Sequence, residues 1–292
     1  MIPRLPSYPM PTPDTLPEQR VPWTPDPARA ALLVHDLQAY FLDFYDPARP
    51  PIPELLRAVA DLTAHARALG IPVVYTAQPG AQDPADRALL TDFWGPGLPD
   101  NPALTRIHPL VAPQPGDTVL TKWRYSAFQR TPLREHLRGW GRDQLLICGV
   151  YANIGCLLSA ADAFMQDVQP FLIADALADF SEAEHRRALE YGAARCAGIT
   201  HAAALLALGG AAKAADGWTP ARVRAEIAAA LGVPAGDLRG DDDLLLLGLD
   251  SIRLMLLTED WQRAGSRVTY ADVAARPTLD ALTDLLCAAG AR

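Results

Sequence analysis

The sequence predicts two folds in tandem: a mostly parallel, doubly wound α/β sheet, then a small all-α helical bundle. Three observations predict it. From about residue 30 to residue 208, short apolar runs alternate with amphipathic stretches, the pattern of strand–helix–strand units with helices on both faces of a sheet. The stretch 209–217 is short, small and polar, as a hinge requires. Beyond it lie helical patterns around an acidic loop. A chain of 292 residues has room for one large and one small core.

In order along the chain, the first ~27 residues form a proline-rich arm, with Tyr8, Val21 and Trp23 placed to pin it to the body or to a neighbouring subunit. Strands are expected at 30–34, 73–77, 118–121, 145–150 and 171–174, with a sixth from Gly198 onward. An amphipathic helix is expected over 53–69, ended by Gly70. Ser181 with Glu184 forms a capping box that opens a helix running towards Arg195. Asp175 and Asp179 are expected to organise the loop before it. These elements make a first domain, 1–208, joined by a linker, 209–217, to a second, 218–292. There Thr219 caps a helix with Pro220 in its first turn, ending near residue 231. Asp241, Asp242 and Asp243 form the acidic loop, a second helix starts at Ser251, and a last one follows Pro277. Residues 216–292 hold 12 acidic and 8 basic side chains, so this quarter carries −4 of the net charge of −8.

Composition narrows the function. Half of the residues are hydrophobic and 21% are charged, ordinary for a soluble protein. No apolar run is long enough to span a membrane, and no basic-then-apolar leader is seen, so a cytoplasmic protein without membrane partners is expected. The four cysteines form no C-x-x-C pair, and neither a disulfide framework nor a metal site is expected. The negative charge argues against nucleic acid.

In open α/β sheets, ligand-handling residues gather at the carboxyl ends of the strands. Asp36, Gln78 and Lys122 stand at three such ends, and the fourth strand runs into 151–155, which turns into a helix. An Asp after a strand is more often a helix cap, but coincidence at four strand ends points to one crevice. His35, next to Asp36, is expected by alternation to face the other side of the sheet as a structural residue.

Six segments, HDLQAYF (35–41), YTAQP (75–79), DRALL (86–90), FWGPGL (93–98), TKWRYSAF (121–128) and GVYANIGC (149–156), resemble the isochorismatases, a branch of the cysteine-hydrolase superfamily. The resemblance implies that Asp36 and Lys122 match the Asp and Lys of the superfamily's amidases, while the nucleophilic Cys falls on Gly155, one residue before Cys156. It implies hydrolysis of the enol-pyruvyl ether of isochorismate, which needs a general acid and no nucleophile. Asp36 is then the acid, with its pKa raised by burial, and Lys122 holds it in place against the substrate's two carboxylates. Gln78 and Arg87 would bind substrate carboxylate or hydroxyl groups, Trp94 and Tyr151 would line the site, and backbone N–H groups around Tyr151 and Gly155 would bind an anion or water. Against this stand plainer readings: Arg87 beside Asp86 as a solvated helix charge, Trp94 as core, Cys156 as packing. The match departs at Asn153, where relatives often carry His.

The segment LLLLGLDSIRLMLL (244–257) resembles the carrier domains of peptide and polyketide synthases, which implies 4′-phosphopantetheine on Ser251. Both halves in this order resemble the bifunctional isochorismatase/aryl carrier proteins of catecholate siderophore biosynthesis. The partners this implies are a phosphopantetheinyl transferase, a 2,3-dihydroxybenzoate-adenylating ligase and a nonribosomal peptide synthetase condensation domain, with a homo-oligomer expected. Three alternatives stay open: the amino analogue of isochorismate as substrate, an amidase using Cys156, and an inert scaffold presenting the carrier.

Overall fold

Six apolar runs fold into one all-parallel sheet: β1 (Ala30–His35), β2 (Val73–Ala77), β3 (Thr118–Thr121), β4 (Gln144–Val150), β5 (Gln169–Ala178) and β6 (Gly198–Thr200). Their spatial order is β3-β2-β1-β4-β5-β6. The computed structural model describes residues 4–208, 218–263, 266, 268–276 and 278–289; the expected linker 209–217 and Pro277 lie outside the described residues. The chain divides into two compact units, Met1–Leu208 and Gly209–Arg292.

Both faces of the sheet are covered, so the central strands are mostly apolar. β1 and β4 are buried along their whole length. Within β1, Ala30, Leu32 and Val34 join one core and Ala31 and Leu33 the other, as a period of two requires. The first core is closed by α1 (Ile52–Ala68), which buries Ile52, Leu55, Leu56, Val59, Leu62 and Ala66, positions that recur on one helical face. The second is closed by α2 (Leu133–Gly139), α3 (Leu157–Met165) and α4 (Glu182–Arg195). A short α5 (Ala202–Leu206) follows β6 and packs on the first core.

Three expectations are corrected here. β5 runs four residues beyond 174, because Asp175 interrupts its apolar pattern without ending the strand. Asp175 accepts from Ala202 N–H and lies 3.1 Å from His201 Nδ1, so it organises the start of α5 rather than the loop before α4. Ser181 caps α4 by accepting from Glu184 N–H, but the cap is one-sided and no reciprocal bond from Glu184 completes a box. The arm is pinned by Tyr8, which is buried, and by Trp23, edge-on to Phe171; Val21 is only half-buried.

The second unit contains α6 (Pro220–Leu231), α7 (Ser251–Arg263), α8 (Tyr270–Ala274) and α9 (Leu279–Ala289). Thr219 caps α6, and Gly232 ends it in a left-handed conformation. Trp261, fully buried, centres the core and donates to Glu226 at 2.8 Å. In the apolar run before α7, Leu244 and Leu249 are buried while Leu245, Leu246 and Leu247 are exposed.

Candidate active site

The strand order reverses between β1 and β4, so their carboxyl ends open a crevice at the switch point. Asp36, Gln78, Lys122 and Gly155 all line one cleft there, together with His35 and Arg87. Asp36 is buried, and its backbone takes a φ of 50°, uncommon for a residue with a side chain and a mark of functional positions. Its Oδ1 accepts from Thr76 Oγ1 at 2.6 Å, and its Oδ2 accepts from Gln78 Nε2 at 2.9 Å. Lys122 Nζ lies 2.9 Å from the same Oδ2 and donates also to Arg124 O. Burial pushes the Asp36 carboxyl up, but Lys122, His35 and the bonds from Thr76 and Gln78 together outweigh it and hold the pKa below the ordinary carboxylate value. The expected upward shift is therefore not met in the free cleft, where Asp36 is a carboxylate. Gln78 spends its amide on Asp36 rather than standing free.

Arg87 is the group with the least compensation. It is 4% exposed, donates through Nε to Gly95 O and through Nη1 to Gln82 Oε1, and has no carboxylate in ion-pair contact among the described residues. This is not a solvated helix charge. Gly97 (φ 83°) makes room for it, since a Cβ there would stand 2.4 Å from Nη1. A buried guanidinium facing a cleft is a site for an anion. Trp94 also faces the cleft: its Nε1 donates to Tyr125 Oη at 2.7 Å and its ring stacks on Phe180. Phe180 stacks in turn on Tyr151, whose hydroxyl donates to Phe41 O. With Tyr40 these rings form an aromatic wall fit for an unsaturated ring.

After β4 the chain passes through the cis Val150–Tyr151 bond into a π-helical turn, Ala152–Cys156, and then α3. Asp179 holds this turn by accepting from Asn153 N–H, and burial pushes its carboxyl up to about 7. Tyr8 accepts from Asp179 N–H at 2.7 Å, and its hydroxyl bonds to His185 Nδ1. Asp179 thus braces the floor of the cleft rather than only the loop before α4. Cys156 is fully buried and its thiol is pushed well above the usual range, so it packs rather than attacks.

His35 is not on the far side of the sheet. Its ring lies in the cleft wall, with Nδ1 2.7 Å from Val150 O and Nε2 3.2 Å from Tyr125 O, and Nδ1 3.9 Å from Asp36 Oδ1. Alternation fails because Asp36 leaves the extended region. Thr76, Arg124, Tyr125 and Phe180 were also missed; a Thr inside an otherwise apolar strand was the one available signal.

In the second unit Ser251 is the first residue of α7, and Asp250 accepts from Arg253 N–H at 2.9 Å. Asp250 is therefore the helix cap, and Ser251 is not required for that role. The neighbouring Asp250 and Arg253 are exposed.

Comparison with known proteins places these features in context. A family model described as "Isochorismatase domain" matches residues 30–204, and one described as "Phosphopantetheine attachment site" matches 221–286. The chain is 47% identical to an isochorismatase of Bacillus subtilis, over 98% of this chain and 95% of that one. It is 42% identical to enterobactin synthase component B of Escherichia coli, over 98% of each. A solved structure of an isochorismatase family protein from Burkholderia thailandensis superposes with a TM-score of 0.56 at 25% identity, covering 63% of this chain and 96% of that one.

Proposed function

Because the chain belongs to the isochorismatase family and carries a phosphopantetheine attachment domain, we propose that it hydrolyses isochorismate and presents an aryl group for siderophore assembly. The observation that carries the first half is a buried carboxylate–ammonium pair in one cleft with a guanidinium that has no carboxylate partner among the described residues, and with glycine where a nucleophile would stand.

Asp36 delivers a proton to the terminal methylene carbon of the pyruvyl enol ether. The oxocarbenium ion so formed takes up water, and the hemiketal collapses to pyruvate and 2,3-dihydro-2,3-dihydroxybenzoate. In the free cleft Asp36 is charged, so it takes up a proton from water as the substrate binds, and the water that adds to the oxocarbenium ion gives one back. A dianion entering beside Lys122 cancels the field that keeps the carboxyl ionised. Arg87 takes one substrate carboxylate as a buried forked donor. Lys122 and Gln78 fix Asp36, and the aromatic wall of Trp94, Tyr151 and Phe180 packs the ring.

Ser251 would hold 4′-phosphopantetheine, which would supply a thiol for an aryl acid. Ser251 is the first residue of a helix already capped by Asp250, so its substitution or modification leaves the cap in place. The further partners in this reading are the 2,3-dihydroxybenzoate-adenylating ligase, a condensation domain of a nonribosomal peptide synthetase and a second copy of the chain. Four unpaired cysteines suit a reducing cytoplasm.

The test is to incubate the protein with isochorismate and follow pyruvate and dihydrodiol, then treat it with a phosphopantetheinyl transferase and coenzyme A and read the intact mass. Equimolar pyruvate and dihydrodiol, with the mass of one arm added, are expected. Unchanged isochorismate overturns the first half, and an unchanged mass the second.

A further inference from the structure

We propose that His35 is a specificity-determining residue: its imidazole fills the volume that a nucleophilic side chain at position 155 would need, and so commits the cleft to chemistry without a covalent intermediate. A Cβ placed on Gly155 would lie 2.1 Å from His35 Cε1, 2.6 Å from Nε2 and 3.0 Å from Nδ1. Contacts under 3.0 Å are collisions that require something to move, and two ring atoms are struck at once, with a third in tight contact, rather than the tip of a flexible chain.

The ring has little freedom to yield. Its two nitrogens face carbonyl oxygens on different segments, Val150 at the end of β4 and Tyr125 in the loop after β3. Turning the ring away breaks both contacts, and it leaves the buried Val150 oxygen without that partner, which is unfavourable. The backbone of His35 is fixed as well. It pairs with Gly149 in the β1–β4 ladder, so closely that a Cβ on Gly149 would stand 2.1 Å from His35 O. One step further, Asp36 leaves the extended region and turns its carboxylate to Lys122. The imidazole and the general acid are therefore set by the same turn. A larger residue at 155 has to displace His35, and a displaced His35 disturbs the residue that holds the proton.

The glycine is thus half of a pair. Gly155 alone does not keep the cleft free of a nucleophile, because Gly155→Cys puts a thiol where no volume exists for it. Cys156 does not replace it, being fully buried in the opposite core. This exclusion of a side chain at position 155 holds whatever substrate the protein takes. Its test therefore reads fold stability and thiol access, not hydrolysis.

Four full-length proteins decide it: wild type, His35→Ala, Gly155→Cys and the double variant. Each is melted, and each is exposed to iodoacetamide, with alkylation at position 155 followed by peptide mass spectrometry so that the half-exposed Cys287 does not interfere. Gly155→Cys should lower the Tm by several degrees in the presence of His35 and by less than half as much in the His35→Ala background. The new thiol should react at least tenfold faster in the double variant. Equal Tm losses in the two backgrounds, or equal alkylation rates, overturn the proposal. Should Gly155→Cys fail to fold, Gly155→Ala is compared in the same two backgrounds. Rescue by His35→Ala supports the pair, and equal loss of fold in both backgrounds counts against it.

Discussion

Replacing Asp36 by Asn changes one atom and one charge, and the structure says what each costs. Isostericity alone would leave the fold untouched. Asp36, however, accepts from Thr76, Gln78 and Lys122 with two oxygens, and Asn has only one. The remaining oxygen does best facing Gln78 and Lys122. The new amide then turns to Thr76 Oγ1, which already accepts from the backbone N–H of residue 36. Lys122, 3% exposed, loses its carboxylate. Removing one partner of a buried ion pair costs about 3–5 kcal/mol. For a domain of this size each kcal/mol moves Tm by about 2–4 °C, so Tm should fall by roughly 6–20 °C. Pyruvate release should fall at least ~10²-fold, the lower range for loss of a general acid. The assay couples pyruvate to NADH oxidation by lactate dehydrogenase, alongside melting followed by circular dichroism. Adding Lys122→Met should recover Tm but no activity. Near-wild-type pyruvate release from the folded Asn variant refutes the acid, and an unmoved Tm refutes the electrostatic reasoning.

Arg87→Met should lower kcat/KM roughly 10- to 150-fold, mostly through KM, the equivalent of about 1.5–3 kcal/mol for a charged hydrogen bond; steady-state kinetics on isochorismate check it, and an unchanged KM contradicts the anchor. Asp179, pushed up to about 7 by burial, holds a proton that the unfolded chain releases near pH 4, so its contribution to stability is present below that and is lost as pH rises through 7. His185, pushed down to about 4 by burial, has the opposite slope: its contribution is full above about 6.5 and is lost as pH falls through 4. Asp179→Asn should therefore gain stability relative to wild type between pH 4 and 7 in urea titrations, and a constant difference would show that Asp179 does not titrate there. Ser251→Ala should abolish aryl loading by intact mass, leave pyruvate release unchanged, and cost less stability than the ~1 kcal/mol of a lost cap, because Asp250 holds that position; any loading of the variant moves the attachment site elsewhere.

Strand positions were legible because burial on both faces leaves long apolar runs with little ambiguity, and all six strands begin within two residues of the expected start. The length of β5 was not, since Asp175 is satisfied by Ala202 and His201, partners about 27 residues ahead that no local pattern announces. In the cleft, Asp36, Gln78 and Lys122 were legible as polar residues at apolar strand ends. His35 was misplaced for a definite reason: alternation holds only while φ stays extended, and it breaks at Asp36. Arg124, Tyr125 and Phe180 reach the cleft from loops, where periodicity carries no information. The state of the Asp36 proton depends on Lys122, 86 positions away in the chain, and on distances that sequence does not contain.

Tyr8 and Asp179 are 171 positions apart, yet one hydrogen bond joins them beneath the cleft floor. On the ribosome, at about 5–20 residues per second, some ten to thirty seconds separate the two. Through that interval the arm has no partner on α4 or at the end of β5, and the turn at Asn153 waits for its brace. The brace under the cleft floor is therefore completed only after residue 179 has been added, late in the synthesis of its unit.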